Sequence, residues 1–343
     1  MASINLSENF MSQISVTIFS AKPYDKTFLE QAATAELCFT CYDLPLNPIS
    51  ASMAQGALIV SAFVNDDLSR ETLEVLHQGG TRLIALRCAG YNQVDLLAAK
   101  QLGVTIVNVP AYSPYAVAEY TISLMLALSR KLPRAYNRVR DANFSLDGLL
   151  GFDFYGKTVG IIGGGKIGCL VAERLKAFGC SILIYEPYNQ AGCQGKGFEL
   201  VDLDNLLARS DIISMHCPLT EDTQYLIDEN AIQKMKQGVM LINTSRGGLM
   251  DTRAVLGALK LHKIAYLGLD VYEQEGSLFF EDHSSEIIQD DVIQRLITLP
   301  NVIVTGHQAY FTKEALIHIS ETTVSNILDF VAGSKLINKV DLS

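Results

Sequence analysis

Residues Thr158–Ile162 form a short apolar, β-branched run that leads without a break into Gly163-Gly164-Gly165-Lys166-Ile167-Gly168. A strand that ends in glycines spaced G-x-G-x-x-G, with helix-forming residues after it, has few ways to fold. The glycines allow a tight turn and close packing of the following helix on the strand, which is the crossover of a parallel sheet. The helix that starts there presents free N–H groups and the positive end of its dipole, a setting suited to phosphate. Glu186 ends the next apolar run, 18 positions after Gly168. A carboxylate there can accept hydrogen bonds from ribose hydroxyls and repel a 2′-phosphate. The stretch therefore points to a dinucleotide cradle; a tight turn with no ligand is the other reading of the same glycines.

The rest of the chain keeps this rhythm. In the first third, strand-like runs fall at Ile14–Phe19, Leu37–Cys41, Ala57–Val60, Leu83–Arg87 and Val104–Asn108, with helical patterns at Ser69–Gln78 and Gln93–Gln101. Val109-Pro110 breaks the pattern. An apolar helix is expected over Pro114–Arg130, with Pro114 in its first turn. A helix this apolar must be covered on most sides, by a domain or a subunit. A second set of strands is expected at Thr158–Gly163, Ser181–Glu186, Asp211–Cys217, Val239–Thr244, Ala265–Asp270 and Asn301–Gly306, followed by a helix over Lys313–Ala332. Strands alternating with helices imply an α/β protein with parallel sheets, and six strands match a dinucleotide-binding fold.

Composition narrows the partners. The 343 residues suggest about two domains, and the 49% hydrophobic content is enough for buried sheets. A net charge of −10 disfavours nucleic acid or an anionic membrane surface. No apolar run is long enough for a membrane span, and no secretory signal precedes Ser20. Seven scattered cysteines then read as reduced thiols in a cytoplasm. Cys38-Phe39-Thr40-Cys41 is a lone CxxC in a strand-like stretch. Without a second pair or a histidine cluster it reads as structural, and no metal site is expected.

Three strands of the second set end in reactive groups. Asn243-Thr244-Ser245-Arg246-Gly247 delivers an arginine, Asp270-Val271-Tyr272-Glu273-Gln274-Glu275 delivers carboxylates, and Gly306-His307-Gln308-Ala309 delivers a histidine. Ligands of such sheets bind beyond the C-terminal strand ends. The planar fork of Arg246 matches a carboxylate. A histidine with a carboxylate partner is oriented for acid–base work near neutral pH. Together they describe a site that holds a carboxylate substrate beside a nicotinamide. Taken singly, each has a plainer reading: a surface arginine capping a turn, a polar loop histidine, an Asp270 that serves structure or touches cofactor, and a solvated Glu273.

At these residues the chain resembles the D-isomer-specific 2-hydroxyacid dehydrogenases, and within them the fermentative D-lactate branch. The resemblance runs from about Ile14 to Leu336. Its specific stretches are Arg87-Cys88-Ala89-Gly90-Tyr91-Asn92-Gln93-Val94-Asp95, Val109-Pro110-Ala111-Tyr112-Ser113-Pro114, His216-Cys217-Pro218-Leu219-Thr220 and Asp270–Glu275, with Gly276–Gln294 resembling the D-lactate branch. The resemblance implies two Rossmann-like or flavodoxin-like parallel-sheet domains with a cleft between them. Residues 1–111 and 309–343 would form a discontinuous substrate domain, and 112–308 an inserted NAD-binding domain. It implies Arg246 on the substrate carboxylate, with backbone N–H groups of Ala89 and Gly90 beside it. His307 would give and take the proton, and Glu275 would hold His307 and favour its charged form. Tyr112 and Tyr310 would wall the pocket. NAD would lie against Gly163, Gly165, Lys166, Ile167, Gly168, Glu186, Cys217, Pro218, Thr223, Thr244, Ser245, Arg246 and Asp270. The family's usual residue at position 186 is Asp, so Glu186 is a departure.

The expected activity is reversible reduction of pyruvate to D-lactate by NADH, in a cytoplasmic homodimer joined through the helix near 114–130, with a tetramer as the larger assembly. A dehydrogenase for larger 2-oxo acids is the near alternative. An NAD(H)-sensing corepressor is the alternative from another class, and the short chain ends argue against it.

Overall fold

The computed structural model describes residues 13–188 and 196–341, so of the polar extension before Ile14 only Gln13 falls within the described residues. The chain divides into two compact units, Met1–Ser113 with Thr312–Ser343, and Pro114–Phe311.

In the first unit the strands are β1 (Ile14–Ile18), β2 (Leu37–Cys41), β3 (Ile59–Ala62), β4 (Leu83–Leu86) and β5 (Thr105–Val107), in the order β2-β1-β3-β4-β5 and all parallel. This is the flavodoxin-like order. Alternation along the strands feeds two cores. Val16, Ile59, Leu83 and Ala85 face one side with Leu29, Val324 and Ile327; Val60, Ala62, Ile84 and Leu86 face the other with Leu73, Leu76 and Ala98. Each fully buried Leu or Ile contributes roughly 1.5–3 kcal/mol. The helices are α1 (Pro23–Ala32), α2 (Arg70–Gln78) and α3 (Leu96–Leu102). Helix α3 starts three residues later than the apolar pattern suggests, because the Asp95 carboxylate accepts the Ala98 N–H and caps it. Cys38 and Cys41, an odd number of residues apart on β2, project to opposite faces, and both are free thiols.

The second unit opens with α4 (Pro114–Ser129) and α5 (Leu132–Arg140). Its remaining elements are β6 (Thr158–Ile162), α6 (Lys166–Ala177), β7 (Ser181–Tyr185), β8 (Glu199–Leu200), α7 (Leu203–Arg209), β9 (Ile212–Met215), α8 (Glu229–Lys234), β10 (Val239–Asn243), α9 (Thr252–Lys260), β11 (Ile264–Leu269), α10 (Asp291–Ile297) and β12 (Val302–Val304). Helix α11 (Lys313–Val331) returns to the first unit and packs beside α1. Among the described residues the second sheet has seven strands, β12-β11-β10-β9-β6-β7-β8, all parallel. The six expected strands are all present. The additional one, β8, is two residues long on the sheet edge, too short to show an alternating pattern. The order reverses at β6, which lies between β7 and β9, and that is the switch point where such sheets bind ligands.

Helix α4 is apolar because it covers this sheet. Ala118, Ile122, Met125 and Leu128 pack with Val159, Ile161, Ile182, Met240 and Ile242, while Ile162, Leu183, Ile213, Leu241 and Leu267 fill the opposite face. At the C-terminal edge the strands stop one or two residues earlier than expected, at Ile162, Tyr185, Met215, Asn243, Leu269 and Val304. The residues just beyond turn out of the ladder and make the site.

Candidate active site

The glycine loop follows β6. Gly163 has φ +101°, and a Cβ there would come within 2.6 Å of the Cys217 nitrogen. A Cβ at Gly168 would collide with the Gly163 carbonyl, which is the close helix–strand approach that the spacing requires. A Cβ at Gly165 would meet nothing within 4 Å, and no side chain caps the first turn of α6, which Lys166 and Ile167 open. The loop therefore leaves room and N–H donors where a pyrophosphate would lie, and the residues fit a dinucleotide. Glu186 stands against this loop, its carboxylate accepting the Gly164 N–H at 2.8 Å and the Tyr188 N–H at 3.0 Å.

Beyond β9 the chain carries His216, Cys217 and Pro218. The His216 N–H donates to the Ile162 carbonyl at 2.7 Å, and its Nε2 lies 2.8 Å from the Ser214 hydroxyl. Burial drives this imidazole down to about 3, so it stays neutral. Burial pushes the Cys217 thiol up to about 11. The Thr223 hydroxyl donates to the Pro218 carbonyl at 2.7 Å, and the Ser245 hydroxyl to the Cys217 carbonyl at 2.7 Å. Cys217, Pro218, Thr223 and Ser245 thus form one tied surface.

Beyond β10, buried Asn243 shapes the turn. Its amide donates to the Arg246 carbonyl at 2.8 Å, and its oxygen accepts the Ser245 N–H at 3.0 Å. The Thr244 hydroxyl meets that of Thr121 on α4 at 2.8 Å. The half-buried Arg246 guanidinium donates to the Ser245 carbonyl at 2.7 Å, and no acidic side chain pairs with it among the described residues.

The neighbouring strands β11 and β12 complete the rim. Asp270 is 0% exposed and accepts from the Thr305 hydroxyl at 2.6 Å, the Gln308 N–H at 2.9 Å and the Ala309 N–H at 2.8 Å. Burial raises its affinity for a proton, and those donors, with His307 beside it, oppose the rise. The Asp270 carbonyl accepts the His307 N–H at 2.7 Å. This clamp holds His307 in the left-handed region, φ +51°. The His307 Nδ1 lies 2.9 Å from a Glu275 oxygen, with side-chain exposures of 14% and 16%. The other Glu275 oxygen accepts the Tyr272 N–H at 3.0 Å. The Tyr310 ring stands edge-on to His307, centroids 6.5 Å apart. Glu273 is not simply solvated: it accepts the Thr252 N–H at 3.2 Å, at the start of α9.

In the first unit, Ala89 and Gly90 lie half-buried in the loop after β4, where the Asn108 amide donates to the Ala89 carbonyl at 2.8 Å. Tyr112 is half-buried just before the unit ends. Sequence reasoning missed two groups. Thr305 supports Asp270 and could have been suspected only as a hydroxyl preceding Gly306-His307. Phe280 lies with its ring 5.9 Å from His307, within the Gly276–Gln294 stretch, where the resemblance singles out no residue.

A parallel sheet with a dinucleotide loop at its switch point, and an arginine, a carboxylate and a histidine on three neighbouring strand ends, defines the class of a nicotinamide-dependent oxidoreductase. Comparison with known proteins gives the family. Residues 122–309 match the NAD binding domain of the D-isomer specific 2-hydroxyacid dehydrogenases. The D-lactate dehydrogenase of Escherichia coli strain K12 is 50% identical over 328 residues, covering 95% of this chain and 99% of that one. The structure is similar to that of the pyruvate reductase of Chlamydomonas reinhardtii, with a TM-score of 0.90, 42% identity and coverage of 96% and 99% of the two chains. It is also similar to the D-lactate dehydrogenase from Aquifex aeolicus complexed with NAD and lactic acid, at a TM-score of 0.86, 36% identity and coverage of 95% and 98%. The chain belongs to the D-isomer-specific 2-hydroxyacid dehydrogenases, and it is an NAD-dependent enzyme.

Proposed function

We propose that the enzyme reduces pyruvate to D-lactate reversibly. The observation that carries this reading is the 2.9 Å His307–Glu275 pair at the ends of strands beside that of Arg246, which has no acidic partner among the described residues. Glu275 occupies Nδ1, which leaves Nε2 of His307 to hand its proton to the C2 oxygen. Bound NADH supplies the hydride to C2, so pyruvate, NADH and one proton give D-lactate and NAD. Arg246 takes the substrate carboxylate through two parallel N–H bonds and draws charge from the carbonyl. Ala89 and Gly90 offer N–H groups to the same carboxylate, and Tyr112 and Tyr310 shape the pocket, as the family resemblance implies. On this reading residues 1–111 and 309–343 serve the substrate, and 112–308 serve NAD. Gly163, Gly165, Lys166, Ile167 and Gly168 would hold the cofactor's pyrophosphate. Glu186 would take the ribose hydroxyls, Cys217, Pro218 and Thr223 would line the adenine side, and Thr244, Ser245, Arg246 and Asp270 would flank the nicotinamide.

A homodimer is part of the proposal. Most apolar side chains of α4 are buried within its own unit, so the contact would extend from Tyr115 into α5 and the segment after it, where Leu132, Tyr136, Phe144, Leu146 and Leu150 are exposed. Six cysteines among the described residues are free thiols, which supports a reducing, cytoplasmic setting. No described helix is long and apolar enough to cross a membrane.

The test is turnover with NADH and a panel of 2-oxo acids, with chiral analysis of the product. Pyruvate is expected as the best substrate and D-lactate as the product. L-lactate, or no reduction of any 2-oxo acid, would refute the reading.

A further inference from the structure

The segment that supplies Glu275 brings a second group to His307. After one 3-10 turn, Glu275–Ser277, the chain passes Phe280, whose ring centroid lies 5.9 Å from that of His307 with the planes at 35°. The backbone at Phe280 has φ +70°. A bulky side chain is rare in this region, where glycine sits without strain. Core burial does not account for it, because Phe280 is half-buried and belongs to none of the four hydrophobic cores of the described residues. A strained backbone under a bulky residue is typical of a functional position.

The other neighbours of the imidazole fix what that ring can do. Glu275 holds Nδ1, and Tyr310 presents its ring edge-on, the planes at 82°. Nε2 is therefore the nitrogen left to meet a substrate carbonyl, on an imidazole flanked by two aromatic rings. The substituent of a 2-oxo acid begins two bonds from the oxygen that Nε2 protonates, within reach of side chains packed against that imidazole.

We infer that Phe280 is a specificity-determining residue: its ring closes the volume beside C3 and reserves the site for a methyl-sized substituent. The inference rests on the reading of His307 as proton donor. One methylene more or less in such a pocket changes selectivity about 10–200-fold.

The experiment compares wild type with Phe280→Ala, Phe280→Leu and Phe280→Gly. It measures kcat and KM for pyruvate and for 4-methyl-2-oxopentanoate, with NADH affinity from fluorescence titration. Phe280→Ala is expected to raise the kcat/KM ratio of the branched acid to pyruvate at least about tenfold, mostly through KM for the branched acid, at unchanged NADH affinity. Phe280→Leu is expected in between. Phe280→Gly removes ring and strain together and is expected to follow Phe280→Ala. A ratio within twofold of wild type in Phe280→Ala overturns the inference. Should that variant fail to bind NADH, the same criterion applies to Phe280→Leu. A wild type that turns over the branched acid as well as pyruvate also overturns it while leaving the dehydrogenase reading intact. A wild type that reduces neither acid refutes that reading, and the inference with it.

Discussion

Both units place charge at the C-terminal rim of a parallel sheet, and they treat it in opposite ways. In the first, Arg87 is 1% exposed and lies 3.8 Å from the carboxylate of Asp25, over the ring of Phe63. It donates to the Phe19 and Ser20 carbonyls at 2.8 and 3.1 Å and to the Ser61 hydroxyl at 3.1 Å. Asp66, 1% exposed, accepts from the Ser20 hydroxyl and from the Leu46 and Phe63 N–H groups. These charges close on their own unit and pin its loops. In the second unit Arg246 has no acidic partner among the described residues, and the His307–Glu275 pair remains partly exposed. An internally matched charge supports a fold, whereas an unmatched one at a strand end is a site for a ligand. The first rim is thus closed on its own unit, and the second leaves side-chain chemistry open.

Substitutions can break that contrast. His307→Gln should cost up to about 10⁴-fold in kcat/KM, because an amide cannot cycle a proton in this range; NADH affinity and melting temperature should stay near wild type. Arg87→Met should act the other way. It strands Asp25, whose burial already favours the protonated form, and should lower unfolding free energy by about 3–5 kcal/mol, measured by denaturant titration. Arg246→Lys keeps the charge and loses the planar fork, a loss of about 2–4 kcal/mol in kcat/KM for pyruvate, again with NADH binding retained. The smallest effect concerns His216. Its folded value of about 3 lies below the ordinary 6.5, so between those values the unfolded chain binds the extra proton. Stability should therefore fall as pH drops below about 6.5, by at most roughly 1.4 kcal/mol per pH unit. His216→Asn should flatten that slope in thermal melts taken between pH 7 and pH 5.

The sequence showed most of the second rim, because backbone geometry writes itself into glycine spacing and strand ends. Gly163, Gly165 and Gly168 are needed by one turn, and Arg246, Asp270 and His307 each follow an apolar run by a residue or a few. It showed less of the groups brought in through space. The first-unit motif around Arg87 was visible, while its closure onto Asp25 depends on the fold. The clamp of Asp270 on the Gln308 and Ala309 N–H groups requires two strands in register. Phe280 reaches His307 from a loop without periodicity, and β8 is too short to alternate. Glu186 reaches back to the Gly164 N–H, a contact between a strand end and the glycine loop that spacing alone does not show.

The proton-handling pair is the centre of the account, and Glu275→Gln tests it most directly. Reduction takes a proton from His307 and oxidation returns it. Glutamine keeps size and an acceptor and removes the charge now 2.9 Å from Nδ1. With kcat/KM measured in both directions, Glu275→Gln should lower pyruvate reduction and D-lactate oxidation alike by about 10²-fold, at unchanged NADH affinity. If both rates stay at their wild-type values, Glu275 is a bystander and the pair does not handle the proton.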